Sequence, residues 1–320
     1  MKKRITKYTK YKKYITYWLD KKNHYIKESS YANYISIINN QILPEIGEKR
    51  LLFINNQTIQ NLILKKYYQN LSDKTIKGIT SIIKISLKDA MKNRIIKYVN
   101  LDFSYPDNDL DKKIYTFNLQ EQKRIIFYCL KKPTNKNIGI LLTLYTGLRI
   151  GEICALKWKD VDFRKNTITV NKTIQRINYK ENIFGHSKIV ITTPKTRNSN
   201  RIIPINNEFA KILKAHKTND ESYILTGGKN YLEPRGLRNY FSRFTNKLRL
   251  SKLNFHSLRH TFATNCIAFG ADYKTVSELL GHANVNITLN YYVHPGIFQK
   301  KKCINSLYKN LNSDSETKDS

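Results

Sequence analysis

Two histidines, an arginine and a pair of tyrosines lie close together late in the chain: His256 and Arg259, then His282, then Tyr291 and Tyr292. His256 and Arg259 are three apart and share a face on a helix. Gly281 follows the apolar residues Val276, Leu279 and Leu280 and suits the left-handed position that closes a helix, so His282 is presented from a turn. Asn286 is placed to cap a short helix, Ile287 to Tyr292. Singly, each residue has a plain structural reading. A histidine at a helix end is commonly a cap or core group, and with 22 tyrosines in the chain no single one stands out. The set reads differently. Imidazoles can donate or accept a proton, a guanidinium holds phosphate oxygens in a planar fork, and a phenol can attack phosphorus. Together they could bind a phosphate and attack it.

The bulk composition points the same way. Lys and Arg number 57 against 24 Asp and Glu, a net charge of +33. So large a surplus repels itself in a compact state, and a polyanion relieves it. Nucleic acid fits best as that polyanion. An anionic membrane surface ranks well below it, because no basic helix has a clean apolar face and no apolar run is long enough to span a bilayer. Met1-Lys2-Lys3-Arg4 is basic but is followed by no apolar stretch of a secretory signal, so a cytoplasmic protein is expected. Cys129, Cys154, Cys266 and Cys303 are scattered and form no C-x-x-C pair, which argues against a zinc site or a disulfide framework.

The elements that must position these side chains are mostly helical. Over residues 1–100, Tyr14, Trp18 and Leu19 can bury while the lysines around them face water. Ser30 to Ile42 repeats apolar residues at helical spacing and should break at Pro44 and Gly47. Asn56 to Tyr68 forms a further helix, and Ser72 caps another with Ile76, Ile79, Ile83, Leu87, Ala90 and Met91 on one stripe. Residues 101–116 are polar and read as a linker. A second domain opens at Asn118-Leu119-Gln120-Glu121, a capping-box pattern. Ile138 to Tyr145 is an apolar helix ending at Gly147, and Ile150 to Leu156 begins the next. Thr167 to Val170 alternates as a strand. Lys188 to Thr193 and Arg201 to Ile205 suggest a hairpin turning through residues 194–200. Helices follow at Asn207 to Lys214, Pro234 to Leu248, Phe255 to Phe269 and Tyr273 to Leu280. A last basic segment, Ile297 to Leu311, either folds back on its own domain or packs on a neighbour, and residues 312–320 are expected to be disordered.

H-x-x-R at His256 to Arg259, L-G-H at Leu280 to His282, and a tyrosine nine residues beyond that histidine resemble the tyrosine recombinases, also called the phage integrase family. The resemblance implies an upstream arginine in a T-G-L-R-x-x-E context, and Thr146-Gly147-Leu148-Arg149 with Glu152 supplies it. It also implies a lysine on a β-hairpin between the two arginines, matched by Thr193-Pro194-Lys195-Thr196 before Arg201-Ile202-Ile203-Pro204. The likeness runs from about residue 10 to about residue 300 and is strongest from Leu144 to Tyr292.

What the resemblance implies is specific. The fold is mainly α with a small antiparallel β-sheet: a helical core-type DNA-binding domain over 1–100, a linker, and a catalytic domain over 117–311. Tyr291 is the nucleophile and forms a 3′-phosphotyrosyl link. Arg149 and Arg259 bind the phosphate oxygens. His256 is a base or a donor to the phosphate, His282 donates to it, and Lys195 protonates the leaving 5′ oxygen. Glu152 either pairs with Arg149 or orients the site. No metal or cofactor is called for. The partners are double-stranded DNA with specific sites, three further copies in a tetramer on synapsed DNA, and possible excision or bending factors at the nucleoid. Integration or excision of a mobile element is the first reading. An Xer-type chromosome-dimer resolvase, a type IB topoisomerase-like enzyme and a catalytically silent DNA-binding protein are the alternatives.

Overall fold

The computed structural model describes residues 5–106, 114–178, 187–193 and 200–292, with a few helical positions between 301 and 307. The chain forms two compact units, one of residues 1–112 with 176–189, the other of 113–175 with 190–320. Both are mostly helical, and the strands are short and antiparallel.

The first unit is built from α1 (Tyr11–Lys22), α2 (Glu28–Ile37), α3 (Leu43–Ile46), α4 (Asn56–Tyr68) and α5 (Asp73–Lys92). Tyr14, Trp18 and Leu19 are buried, as their spacing predicts, and join one core with the stripe Ile76, Ile79, Ile83, Leu87 and Ala90 of α5. Two tyrosines tie these helices together. Tyr11 Oη lies 2.7 Å from Ser86 Oγ, and Tyr14 Oη donates to the Ser86 carbonyl at 2.7 Å. Ser72 caps α5, its hydroxyl accepting from the Thr75 amide.

The expected break at Pro44 does not occur. Instead α2 runs into α3 through a π-helical turn, Ile38–Ile42, in which the Leu43 amide bonds the Ile38 carbonyl. Proline lacks an amide and crowds the carbonyl four residues back. A wider turn absorbs that crowding without ending the helix. The first stretch of the expected linker is also structured. Leu101 is buried, Phe103 and Tyr105 pack against the same core, and Ser104 exchanges two backbone hydrogen bonds with the Gln60 side chain.

The second unit opens with the predicted capping box, in which Asn118 and Glu121 bond each other's amides at the head of α6 (Leu119–Lys131). Next come α7 (Asn135–Thr146) and α8 (Ile150–Ala155). A three-stranded sheet then orders β1 (Val161–Asp162), β2 (Thr167–Val170) and β5 (Arg201–Pro204); β3 (Thr173–Asn178) pairs with β4 (Ser187–Thr192), and residues 176–178 and 187–189 of that pair are counted with the first unit. The expected hairpin between 188–193 and 201–205 is therefore corrected: β5 partners β2, with Ile203 opposite Ile168. Burial decides it. Ile203 and Ile168 are both buried, whereas β4 contributes no buried residue that could compete for the place. The remaining helices are α9 (Asn207–Ala215), α10 (Pro234–Lys247), α11 (His256–Ala268), α12 (Tyr273–Leu280) and α13 (Val285–Tyr292). Asn284, not Asn286, caps α13, since its side-chain oxygen accepts from the Asn286 amide at 2.9 Å. The terminal segment Ile297 to Leu311 lies mostly outside the described residues, as does the 312–320 tail.

Two glycines close helices that carry the site. Gly147 ends α7 at φ 65° and Gly281 ends α12 at φ 64°, both left-handed. A Cβ on Gly147 would lie 2.5 Å from Phe262 Cδ1 and 2.7 Å from Leu280 Cδ2. Gly147→Ala thus combines backbone strain with overpacking, and should cost roughly 1–3 kcal/mol in urea denaturation. A variant as stable as the natural chain would show that the turn has slack.

Candidate active site

Three arginines from three elements meet at the C-terminal end of α12. Arg149 precedes α8, Arg201 opens β5, and Arg259 sits on α11. The last carbonyls of a helix have no partner within it and carry its negative dipole end. Here they are taken in order. Arg201 Nε donates to the Leu279 carbonyl at 2.6 Å, Arg259 Nη2 to Leu280 at 2.7 Å, and Arg149 Nη2 to Gly281 at 2.7 Å. Arg259, 2% exposed, also donates to the Gly147 carbonyl at 2.8 Å. It thereby staples the two glycine turns to each other.

Glu152 is the counter-charge. Its carboxylate, 3% exposed, takes Arg149 Nη1 at 2.9 Å and Arg201 Nη2 at 2.9 Å, and it caps its own helix by accepting from the Arg149 amide. Burial works to raise its pKa, but the hydrogen bonds and charges of Arg201 and Arg149 outweigh this and hold it below the ordinary glutamate range. Glu152 is thus the partner for Arg149, and for Arg201 as well. Arg149 remains 34% exposed, so the cluster reaches solvent through it.

The two histidines stand around this cluster as neutral imidazoles. His282 is pushed down to about 3, by burial first and then by Arg259, Arg149 and Arg201; its Nδ1 lies 2.8 Å from Thr288 Oγ1. His256, the first residue of α11, is pushed down to about 4 by desolvation, then by His260, Arg259 and Arg149. His256 is exposed at its edge, so water screens part of the burial effect, but the cationic neighbours act in the same direction. The His256 and His260 rings meet edge to face at 4.6 Å. Tyr291 and Tyr292 are the last two residues of α13, which follows the His282 turn. Lys195 lies outside the described residues. Among the described residues, no three His, Cys, Asp or Glu side chains are grouped to hold a metal, and no helix is long and apolar enough to cross a membrane.

Lowered histidine pKa values have a sign. The unfolded chain takes up protons near pH 6.5, the folded one only toward about 4 and about 3, so stability is level above pH 6.5 and falls as pH drops through that window. Thermal melts from about pH 8 to about pH 4.5 should follow this curve, with a shallower fall in His282→Asn. An identical fall in the variant would remove His282 from the account.

The residues themselves brought His256, Arg259 and His282 forward and the family resemblance added Arg149 and Glu152; the structure gathers these five. It adds Arg201, Thr288 and His260. Arg201 was in view as part of the hairpin pattern and its strand, with no role of its own, and no local pattern ties it to Glu152, 49 residues away.

The helical architecture and this arginine–histidine cluster are those of a tyrosine site-specific recombinase. A family model described as the phage integrase family matches residues 116–296, and one described as phage integrase, N-terminal SAM-like domain, matches 10–67. The chain belongs to the phage integrase family. It is 31% identical over 304 residues to a tyrosine recombinase XerC-like protein of Caldanaerobacter subterraneus subsp. tengcongensis, covering 88% of this chain and 76% of the relative. It is 30% identical over 244 residues to the transposase from transposon Tn916 of Enterococcus faecalis, covering 69% of this chain and 58% of that one. The ICEBs1 integrase of Bacillus subtilis is 27% identical over 281 residues, 84% of this chain and 74% of the relative. In fold, the chain is similar to the Tn1549 transposon integrase in complex with transposon right end DNA, with a TM-score of 0.78 at 20% identity over 94% of this chain and 100% of that one. A lambda integrase tetramer bound to a Holliday junction gives 0.63 at 18% identity, over 86% of this chain and 78% of that one.

Proposed function

We propose that this chain integrates and excises a mobile element, cutting and rejoining duplex DNA at specific sites through a 3′-phosphotyrosyl link to Tyr291. The observation that carries the reading is the convergence of three guanidinium groups at the end of α12. Arg149 and Arg201 share the Glu152 carboxylate and Arg259 binds the carbonyls beside them, next to two histidines held neutral by burial first and by these charges second. A phosphodiester brings negative charge to this cluster, and its pentacoordinate transition state brings more, so donors fixed there favour the transition state over the ground state.

Each residue then has a role. Arg149 meets the non-bridging oxygens from the exposed side and Arg259 backs them from the buried floor. His282 donates to the phosphate. His256, neutral, accepts the phenol proton or donates in turn. Lys195 protonates the leaving 5′ oxygen, and Glu152 holds Arg149 at its angle. The tyrosine link conserves the energy of the broken bond, so rejoining calls for no nucleotide cofactor. Residues 1–100 grip the duplex with their lysine-rich faces, 117–311 carry the chemistry, and four copies act on two synapsed sites in the cytoplasm, at the nucleoid. Excision or DNA-bending factors complete the assembly. The mobile-element role is supported by the likeness to the Tn916 transposase and the ICEBs1 integrase.

A nicked suicide duplex tests the reading. Loss of the short 5′ fragment strands the enzyme on DNA, and a denaturing gel should show a covalent adduct whose peptide map ends on Tyr291. Binding without adduct would leave the silent DNA-binding alternative. Adduct with relaxation of supercoils but no strand exchange between sites would leave the topoisomerase-like one.

A further inference from the structure

Thr288 is fully buried on α13, one turn before Tyr291, and its hydroxyl lies 2.8 Å from His282 Nδ1. Two arrangements fit that distance. The hydroxyl donates to a bare Nδ1, and the ring proton sits on Nε2; or Nδ1–H donates to the hydroxyl, and Nε2 is a bare acceptor. The surroundings choose between them. Among the described residues the Thr288 hydroxyl has no other hydrogen-bond partner, so in the second arrangement its own proton would be buried with no acceptor. In the first, the hydroxyl proton has an acceptor in Nδ1. The ring is also kept neutral by burial and by the arginines around it, so a single proton must be placed on one nitrogen or the other.

We infer that Thr288 is a positioning residue for this reaction: its hydroxyl donates to Nδ1 of His282 and leaves Nε2–H as the outward donor of the ring. The inference rests on the reading that the cleft takes a scissile phosphate, since an oxyanion requires a donor, and a bare Nε2 would repel it. It adds a coupling. The residue that sets the proton of His282 belongs to the same short helix as Tyr291, so the donor is correctly set only when that helix is seated.

Nitrogen-15 NMR of the full chain labelled at histidine reads the tautomer directly, with His282→Asn assigning the signals. The expected result is a protonated Nε2 and a bare Nδ1 in the natural chain, and a mixture of both tautomers in Thr288→Val, which keeps the shape of the side chain. Single-turnover adduct formation in Thr288→Val should fall about 10- to 100-fold, the scale known for losing the hydrogen-bond partner that orients a metal-bound histidine. Duplex affinity should not change, and Thr288→Ser should recover most of the rate. A proton on Nδ1 in the natural chain, or adduct formation by Thr288→Val at the natural rate, overturns the inference. A natural chain that makes no adduct at all overturns the phosphotyrosyl reading instead, and the imidazole spectrum then decides the Thr288 arrangement alone.

Discussion

Tyr291→Phe abolishes covalent capture of DNA and leaves the affinity for duplex unchanged. The substitution removes one oxygen and nothing else, so the last turn of α13 keeps its side-chain shape. Loss of a covalent nucleophile costs on the order of 10⁶-fold in rate where it has been separated from binding. Affinity comes from elsewhere. With a net charge of +33, attraction to the phosphate backbone is spread over many lysines and arginines. Each neutralised phosphate adds about −0.9 to the slope of log affinity against log salt, and a phenol adds nothing to that slope. Tyr292→Phe is the control. Adjacent residues on a helix diverge by about 100°, so only one of the pair can face the phosphate. Adduct formation by Tyr291→Phe, together with its loss in Tyr292→Phe, would hand the role to the neighbour.

How far this site could be read before any coordinates depended on the kind of signal each part leaves. Gly147 and Gly281 announced themselves, because a left-handed backbone at a helix end admits few other residues and both follow apolar runs. The capping boxlike run at Asn118 and the cap at Ser72 were legible for the same local reason. Asn284 was missed in favour of Asn286, since two asparagines separated by one residue offer the same side-chain oxygen and only the bond from the Asn286 amide tells them apart. Strand pairing was misread because alternation reports which face of a strand is buried and says nothing about its partner. Arg201 stood in the hairpin pattern, but nothing there marked it as a site residue. Among 57 lysines and arginines one more is unremarkable, and what distinguishes it, a buried carboxylate on another element, is a property of the fold. Thr288 likewise reads as an ordinary buried threonine until His282 is seen beside it.

Arg149→Lys should lower the rate of adduct formation by about 10²- to 10³-fold, the scale seen when one donor to a developing oxyanion is removed. Charge is conserved, so the effect isolates geometry. Arg149 binds Glu152 with Nη1 and the Gly281 carbonyl with Nη2, which fixes the plane of the guanidinium. Its partial exposure leaves that fixed plane at the mouth of the cluster, where a phosphate arrives. A lysine carries a single ammonium on a longer-ranging stem and cannot hold two partners and present a flat fork to a third. Folding should survive the change, because Glu152 keeps both of its contacts with Arg201 and is not left as an unpaired buried carboxylate. Urea melts and duplex affinity should therefore match the natural chain while cleavage falls. Should Arg149→Lys cleave at the natural rate, the guanidinium plane has no part in the reaction, and charge alone at the end of α12 suffices. Should it unfold, Arg201 is not the sufficient partner for Glu152 that its two bonds imply. The contrast with Arg201→Lys sharpens this, since that change disturbs the better-buried partner of the same carboxylate and the Leu279 carbonyl together, and stability should fall with activity there.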